Sequence, residues 1–472
     1  MTVTHPLREI ADSVVRDFTS FVTQVSYADV PETARAAAKR CLLDAVGCGI
    51  AGAQTDVVRA LRTVAATATS TRPATLFGTS IQTTPEMAAF VNGSAIRCLD
   101  FNDDYFGTDE SNAHGDTGPH PSDNIGGVLA AAQIAGATGA ETILGLVIAY
   151  EVCGQLVDEV VIRGNGWDHP TFHSIATAAA ASRLLGLSSE QVANALRLAV
   201  VPNICLYQSR VGSISNWKGL AGPNGSRNGL FAALLAEAGI TGPEMAFEGS
   251  RGFMRQLDHQ FSLGPFGGPD HQFRIENTYF KHLPLRYEMQ LPVQMAIEVR
   301  ETIDPLEIAS MKVYMESKSV VTRDSEPAIW KPTNRETADH SGPYLIAASL
   351  LDGNITHETF EPTRFQAEDV LGVTDTIELI EDPDYTASFP WKMACRFEIQ
   401  LKDGKEVVLE GVNPKGHPLT PMSEEEFTVK FLGQTQSLLG QQQADELLRA
   451  IGCLEAESSV DRIFALTVPR MS

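Results

Sequence analysis

The amino-acid sequence predicts a mainly α protein, in which a large all-helical domain is assembled from both chain ends and a smaller α/β lid domain lies between them. Three observations lead to this. From Pro31 to about Gly239 the chain reads as helix after helix, rich in alanine and glycine; after about Gln272 it turns to short alternating runs with a hairpin signal; and from Pro421 helical patterning returns. A length of 472 residues is also long for one compact core, which favours two domains. The predicted bounds are 1–272 and 421–472 for the helical domain and 273–420 for the lid.

Each element follows from local signals. "PETARAAAKRCLLDAVGCGIAG" starts with Pro31, suited to a first helical turn where its missing N–H goes unnoticed, and ends in glycines. "IGGVLAAAQIAGATGAETILGLVIAYEVCG" is the most lipid-like stretch, but Gln133, Thr138 and Glu141 interrupt it. Neither apolar half reaches the roughly 20 residues of a membrane span, so two buried helices are predicted. Ser122 is placed to cap the first of them, with Asp123 near its N-terminal dipole. "SIATAAAASRLLGLSSEQVANALRLAV" predicts two more helices, the second opened by the "SSEQ" cap signal. In the lid, "IASMKVYMESKSVV" has strand character and "SGPYLIAASLLDG" is helical. "KMACRFEIQLKDGKEVVLEGV" is a hairpin pattern turning at Asp403–Gly404.

Composition narrows the function. A formal charge of −23 opposes nucleic acid or an anionic membrane as main partner, because both would be repelled. By the same argument, an anionic substrate must be met by a deliberately basic pocket. The seven cysteines are scattered, without a CxxC pair, which predicts a reduced, cytoplasmic protein with neither an iron–sulfur cluster nor a structural zinc. The opening "MTVTHPLREIADSVVRDF" has no apolar run before a small-residue cleavage site, so no secretory leader is expected.

Four segments carry candidate chemistry. "DFNDDYFGTDESNAHGDTGPHPSDN", residues 100–124, holds seven acidic residues and two histidines. It reads as a solvated loop, a metal site, or half of an acid–base site. Asp100 follows the apolar "AIRCL", and His120 stands beside Pro121 at a helix entrance, where backbone N–H groups can bind an anion. "WDHPTFH" sets His169 and His173 four apart, a zinc-compatible spacing, but the glutamate of HExxH is missing and Pro170 places His169 ahead of the helix. Acid–base work by a cleft histidine is the competing use. "SRVGSISNWKGLAGPNGSRNG" carries Arg210 and Lys218 ahead of a helix, in a loop that Trp217 implies is packed; no GxxxxGK[ST] is present. "YFKHLPLRYEMQ" puts Lys281 at the predicted domain junction, a favoured place for ligands, although pattern alone reads it as a structural lysine.

In this order these segments resemble the MmgE/PrpD family, whose members include 2-methylcitrate dehydratase, cis-aconitate decarboxylase and iminodisuccinate epimerase. "NGSAIRCLDFNDDY" followed by "HPSDNIGGVLAAA" is similar to the family signature, and "HPSDN" is closest to the dehydratase branch. "DHPTFHSIATAAAASRLLGL", "ADHSGPYLIAASLLDG", "IELIEDPDYTASF" and "NPKGHP" extend the resemblance over nearly the whole chain. It implies a helical domain with an α/β lid, a homodimer, and a site containing Asp100, Asp104, His120, His169, Lys218 and Lys281. Asp104 stands where the family leads one to expect threonine, and "FGTDESNAHGDTG" lengthens the loop before His120.

The implied substrates are citrate-like polycarboxylates. Removing a proton beside a carboxylate creates an enolate-like dianion that needs electrostatic stabilisation. Lys218, Lys281 and Arg210 are suitable carboxylate clamps, with Ser122 and Asn102 as further candidate substrate contacts. His120 and His169, tuned by Asp100 and Asp104, are the expected acid and base, in either order. The expectation is a cofactor-free, metal-independent dehydratase of a 2-hydroxy tricarboxylate such as 2-methylcitrate. A decarboxylase or epimerase on the same scaffold, a non-catalytic helical dimer and a metal enzyme are the alternatives.

Overall fold

The structure, a computed structural model, describes residues 10–107, 118–212 and 214–470. Most of the lengthened segment before His120 lies outside these residues. The protein is mainly α. Its first helices are α1 (Ser13–Gln24), α2 (Glu32–Gly52) and α3 (Asp56–Ala65), with Pro31 at the N-cap of α2 rather than inside its first turn. A two-stranded ribbon, β1 (Ala74–Thr75) with β2 (Gln82–Thr83), leads into α4 (Pro85–Arg97).

α5 (Ile125–Ala135) and α6 (Gly139–Glu159) are the two helices expected from the apolar stretch. Gly136, at φ +64°, ends α5 in the left-handed region, and Thr138 with Glu141 forms a capping box that starts α6. At 21 residues α6 outruns the apolar run seen in the sequence, because Glu151 and Asp158 lie within it; Arg274 holds each of them at 2.7 Å. Its most apolar window is 89% buried inside the protein. The cap expected from Ser122 is not formed. Residues Pro121–Asn124 make a 3₁₀ turn continuous with α5, and the Ser122 hydroxyl instead accepts a hydrogen bond from Asn102 at 2.8 Å.

α7 (Pro170–Leu184), α8 (Ser189–Val200) and α9 (Trp217–Glu237) complete the first helical part, followed by the short α10 (Phe253–Leu257). Ser188 and Gln191 form the expected capping box of α8. Glycine lets α9 lie directly on α7. A Cβ on Gly229 would fall 2.3 Å from the Ser174 carbonyl oxygen, and one on Gly225 would fall 2.4 Å from that of Pro170. Trp217 does not pin the preceding loop as expected: it is 47% exposed, at the start of α9.

The α/β part starts with α11 (Gln290–Val299) and β3 (Ile308–Met315). Short helices α12 (Pro327–Trp330) and α13 (Arg335–Ala338) then lead to α14 (Gly342–Asp352). Strands β4 (Ile377–Glu381), β5 (Ala394–Leu401) and β6 (Glu406–Val412) close a sheet of order β4-β3-β5-β6. β4 runs parallel to β3, and the other pairs are antiparallel. Gly404, at φ +88°, turns the β5–β6 hairpin. One apolar core joins residues from Val14 to Phe280 with Met422 to Leu466, and a second joins residues from Leu283 to Ile399. Between them Phe106, Tyr279, Tyr287 and Met393 form a small aromatic cluster. There the backbones of Asp104 and Tyr279 exchange hydrogen bonds of 2.8 and 2.9 Å. A cavity of about 180 Å³ opens at this join.

Candidate active site

The cavity wall starts at the end of α4. Arg97 is the last residue of that helix, and the turn after it brings Asp100 round at φ +50°, a left-handed conformation that aspartate tolerates better than most residues. The turn aims the Asp100 carboxylate at three cations: Arg97 at 2.6 Å, Lys281 at 2.6 Å and Lys218 at 3.2 Å. All four side chains are buried. Burial alone would raise the Asp100 carboxyl, but Arg97, Lys218 and Lys281 together hold it well below the usual carboxylate range. One anion facing three cations leaves positive charge directed into the cavity.

Asp104 lies on the same wall, with its carboxylate 3.3 Å from Lys281 and 3.3 Å from Nδ1 of His120. Burial dominates here: with Asp100 and Glu288 nearby, it pushes the Asp104 carboxyl well above its ordinary value despite Lys281. Two carboxyls four residues apart are thus shifted in opposite directions. Their environments set the difference, since Asp100 has three cationic partners and Asp104 shares one.

His120 donates from Nδ1 to the carbonyl of Asp103 at 2.6 Å, and its Nε2 receives Arg97 at 2.8 Å. A carbonyl only accepts and a guanidinium only donates, so the ring is neutral with its proton on Nδ1. Burial, then Arg97 and Lys281, keep its imidazolium form well below the usual histidine range. His169 is held at one nitrogen, its Nε2 accepting from Arg210 at 2.6 Å while Nδ1 is buried without a hydrogen-bond partner. The ring of His169 stands 5.8 Å from that of His120, and His173 follows at 5.6 Å, so the three imidazoles form a file leading away from the cavity.

The nominated residues therefore separate. Asp100, Asp104, His120, Arg210, Lys218 and Lys281 line the cavity. His169, Asn102 and Ser122 do not; they are buried behind the wall. Ser122 and Asn102 bond each other, and the Ser122 N–H donates to Asp103, whose other oxygen accepts from Tyr150 at 2.6 Å. Asn102 and Ser122 thus brace the loop instead of facing a ligand. The pairing of His120 with His169 as acid and base meets the same obstacle, because both Nε2 atoms are occupied by guanidinium groups and only His120 reaches the wall. Lys218 sits in the first turn of α9 rather than ahead of it. Burial lowers its ammonium to about 8 against the pull of Asp100.

Several wall residues were not singled out from the sequence. Arg97, Arg163, Arg286 and Lys318 raise the basic groups on the wall to seven, with Lys218, Lys281 and Arg210. Arg286 is paired at 3.1 Å with Glu288, and burial opposed by that arginine leaves the Glu288 carboxyl at about 2. His340, between α13 and α14, comes from the α/β part, with Nε2 3.7 Å from Asp100. The one signal for Arg97 was its position three residues before Asp100 in an otherwise small and apolar run. His340 had only its place in "ADHSGP".

Basic side chains and two buried carboxyls, Asp100 and Asp104, thus share one cavity between a helical body and an α/β unit. The chain belongs to the MmgE/PrpD family: residues 16–265 match its N-terminal domain and residues 284–456 its C-terminal domain. It is 27% identical over 440 residues to the 2-methylcitrate dehydratase of Salmonella typhimurium, covering 87% of each chain. It is 28% identical to the mitochondrial 2-methylcitrate dehydratase of Yarrowia lipolytica, over 92% of this chain and 86% of the relative. To the human cis-aconitate decarboxylase it is 26% identical, over 94% of this chain and 92% of the relative.

Proposed function

We propose that this protein is a lyase that removes water from a 2-hydroxy tricarboxylate such as 2-methylcitrate, without a metal. The observation that carries the reading is the ring of seven basic side chains on one cavity wall of a chain whose net charge is −23. Cations concentrated against the overall charge serve an anionic ligand; Asp100, Asp104, Glu288 and Glu326 on the same wall are fewer than the cations, and a substrate with three carboxylates answers the surplus.

The chemistry follows from the protonation states. Lys218, Lys281 and Arg210 hold the carboxylates and stabilise the extra negative charge that develops when the carbon-bound proton leaves. Asp104, whose carboxyl burial pushes toward the protonated form, is the acid that delivers a proton to the departing hydroxyl; its Oδ2 faces the Lys281 ammonium at 3.3 Å without a hydrogen bond. Asp100 stays ionised and fixes the two lysines. Metal independence is argued from charge. Asp100, Asp339 and His340 are close enough to share an ion, but Arg97, Lys218 and Lys281 already surround Asp100 and would repel a divalent cation.

A second reading, decarboxylation of cis-aconitate, is favoured by the similarity to the human decarboxylase. Incubation of exhaustively chelated protein with 2-methylcitrate and with cis-aconitate separates the two. The proposal expects an ultraviolet-absorbing alkene from 2-methylcitrate. Carbon dioxide from cis-aconitate, with 2-methylcitrate unchanged, supports the decarboxylase, and activity that needs added metal overturns the metal-free mechanism.

A further inference from the structure

We propose that His340, contributed by the α/β unit, is the base that takes the carbon-bound proton; this rests on the lyase reading above. His120 and His169 each present Nε2 to a guanidinium at 2.8 and 2.6 Å, so neither has a lone pair to offer. His173 is fully buried away from the cavity. His340 lines the cavity with its side chain 17% exposed.

Its neighbours prepare it for the role. Nδ1 lies closest to the carboxylate of Asp339, in a short contact; a carboxylate only accepts, so the ring proton is on Nδ1 and the lone pair on Nε2. Asp339 is itself fixed, its N–H donating to Arg335 at 3.0 Å and its carbonyl accepting from Arg286 at 3.3 Å. Among the described residues, the polar group facing Nε2 is the Asp100 carboxylate at 3.7 Å, which is ionised and donates nothing. Lys218 stands 3.5 Å from Nδ1. Burial, then this ammonium, lower the imidazolium to about 4 against Asp339 and Asp100, so the ring is neutral at physiological pH. An orienting carboxylate behind Nδ1 and an Nε2 that accepts from no donor among the described residues is the arrangement of a general base.

In the step, Nε2 takes the proton as the C–H bond breaks. That electron pair, held first as the enolate that Lys218, Lys281 and Arg210 stabilise, becomes the new carbon–carbon π bond as the C–O bond breaks. The hydroxide takes the Asp104 proton and leaves as water. Asp339 and Asp100 flank the imidazolium until it returns its proton to solvent, from which Asp104 is recharged.

The test compares wild type, His340→Ala and Asp339→Asn by turnover of 2-methylcitrate and by deuterium wash-in from heavy water, with thermal unfolding as the check on folding. His340→Ala is expected to lower kcat at least about 100-fold, to keep KM within about threefold, and to regain activity with added imidazole. Asp339→Asn positions the ring less well, and should shift the acid limb of the pH–rate profile with little change in KM. If His340→Ala does not fold, that shift alone decides. Wild-type turnover retained in His340→Ala, or an unmoved acid limb in Asp339→Asn, overturns the assignment of the base. Wild type that leaves every acid unchanged overturns the lyase reading, and this inference with it.

Discussion

Lys218 and Lys281 both meet Asp100, yet their removal should have different consequences. Lys218→Met leaves Asp100 paired with Arg97 and Lys281, so the fold should survive while turnover falls. Losing a charge aimed at a developing anion costs about 2.7–4 kcal/mol of barrier. Near-normal kinetics would show Lys218 to be a structural charge. Lys281 is fully buried between Asp100 and Asp104, and Lys281→Met should lower unfolding stability by about 3–5 kcal/mol, read from a urea midpoint. An unchanged midpoint would contradict that. Asp123 gives a pH prediction. Burial, opposed chiefly by Arg97, raises its carboxyl from the ordinary 3.8 to about 7. Between those values the folded chain holds a proton that the unfolded chain has lost, so this group's contribution to stability declines as pH rises through that window. Asp123→Asn should therefore lessen the fall in Tm between about pH 5 and pH 8; an identical pH slope in mutant and wild type would refute it. Five of the cavity's charged residues, Asp100, Asp104, Arg210, Lys218 and Lys281, were readable because they stood in small, apolar or glycine-rich surroundings or at the predicted domain junction. Arg97 was hidden, because an arginine in a last helical turn already satisfies the helix dipole. His340 was hidden because its partners Lys218 and Asp100 are brought to it only by the closure of the α/β unit on the helical body.

Among the elements, the α7–α9 contact is the most exposed to a single change. Gly229→Ala puts a methyl 2.3 Å from the Ser174 carbonyl oxygen, and the two helices must part. A loss of about 1–3 kcal/mol is expected, measured by thermal or chemical unfolding. Gly433→Ala, in the helix Glu424–Leu439, meets nothing within 4 Å and serves as the control. An equal effect at both glycines would mean helix propensity, not packing, is being read. Elements with strong local signals were legible: the α8 capping box, the break between α5 and α6 around Thr138 and Glu141, and the Asp403–Gly404 hairpin each depend on a few adjacent residues. β4 was not, since it is five residues long with glutamates at Glu378 and Glu381, and its parallel pairing with β3 bridges a long connection. Ser122 misled because its turn is 3₁₀ and continuous with α5, so the first N–H groups of that helix needed no side-chain cap.

At the scale of the whole molecule, the cavity depends on two separate cores meeting over an aromatic cluster. A polyanion bound to Lys218 and Arg210 on one side and Arg286 on the other would tie the two together. Saturation at about 100 times Kd stabilises the bound form by about 2.7 kcal/mol, so 2-methylcitrate should raise Tm and slow proteolysis near residues 273 and 420. Monocarboxylates at the same ionic strength should do neither; equal protection by acetate would reduce the effect to salt. The central claim is that this cavity moves a proton at the carbon of a polycarboxylate. The most direct measurement is NMR of 2-methylcitrate, citrate and cis-aconitate incubated with the protein in heavy water. The account predicts a new alkene signal from 2-methylcitrate, with deuterium incorporated beside the carboxylate in recovered substrate and no carbon dioxide. All three acids returned unchanged and undeuterated would contradict it.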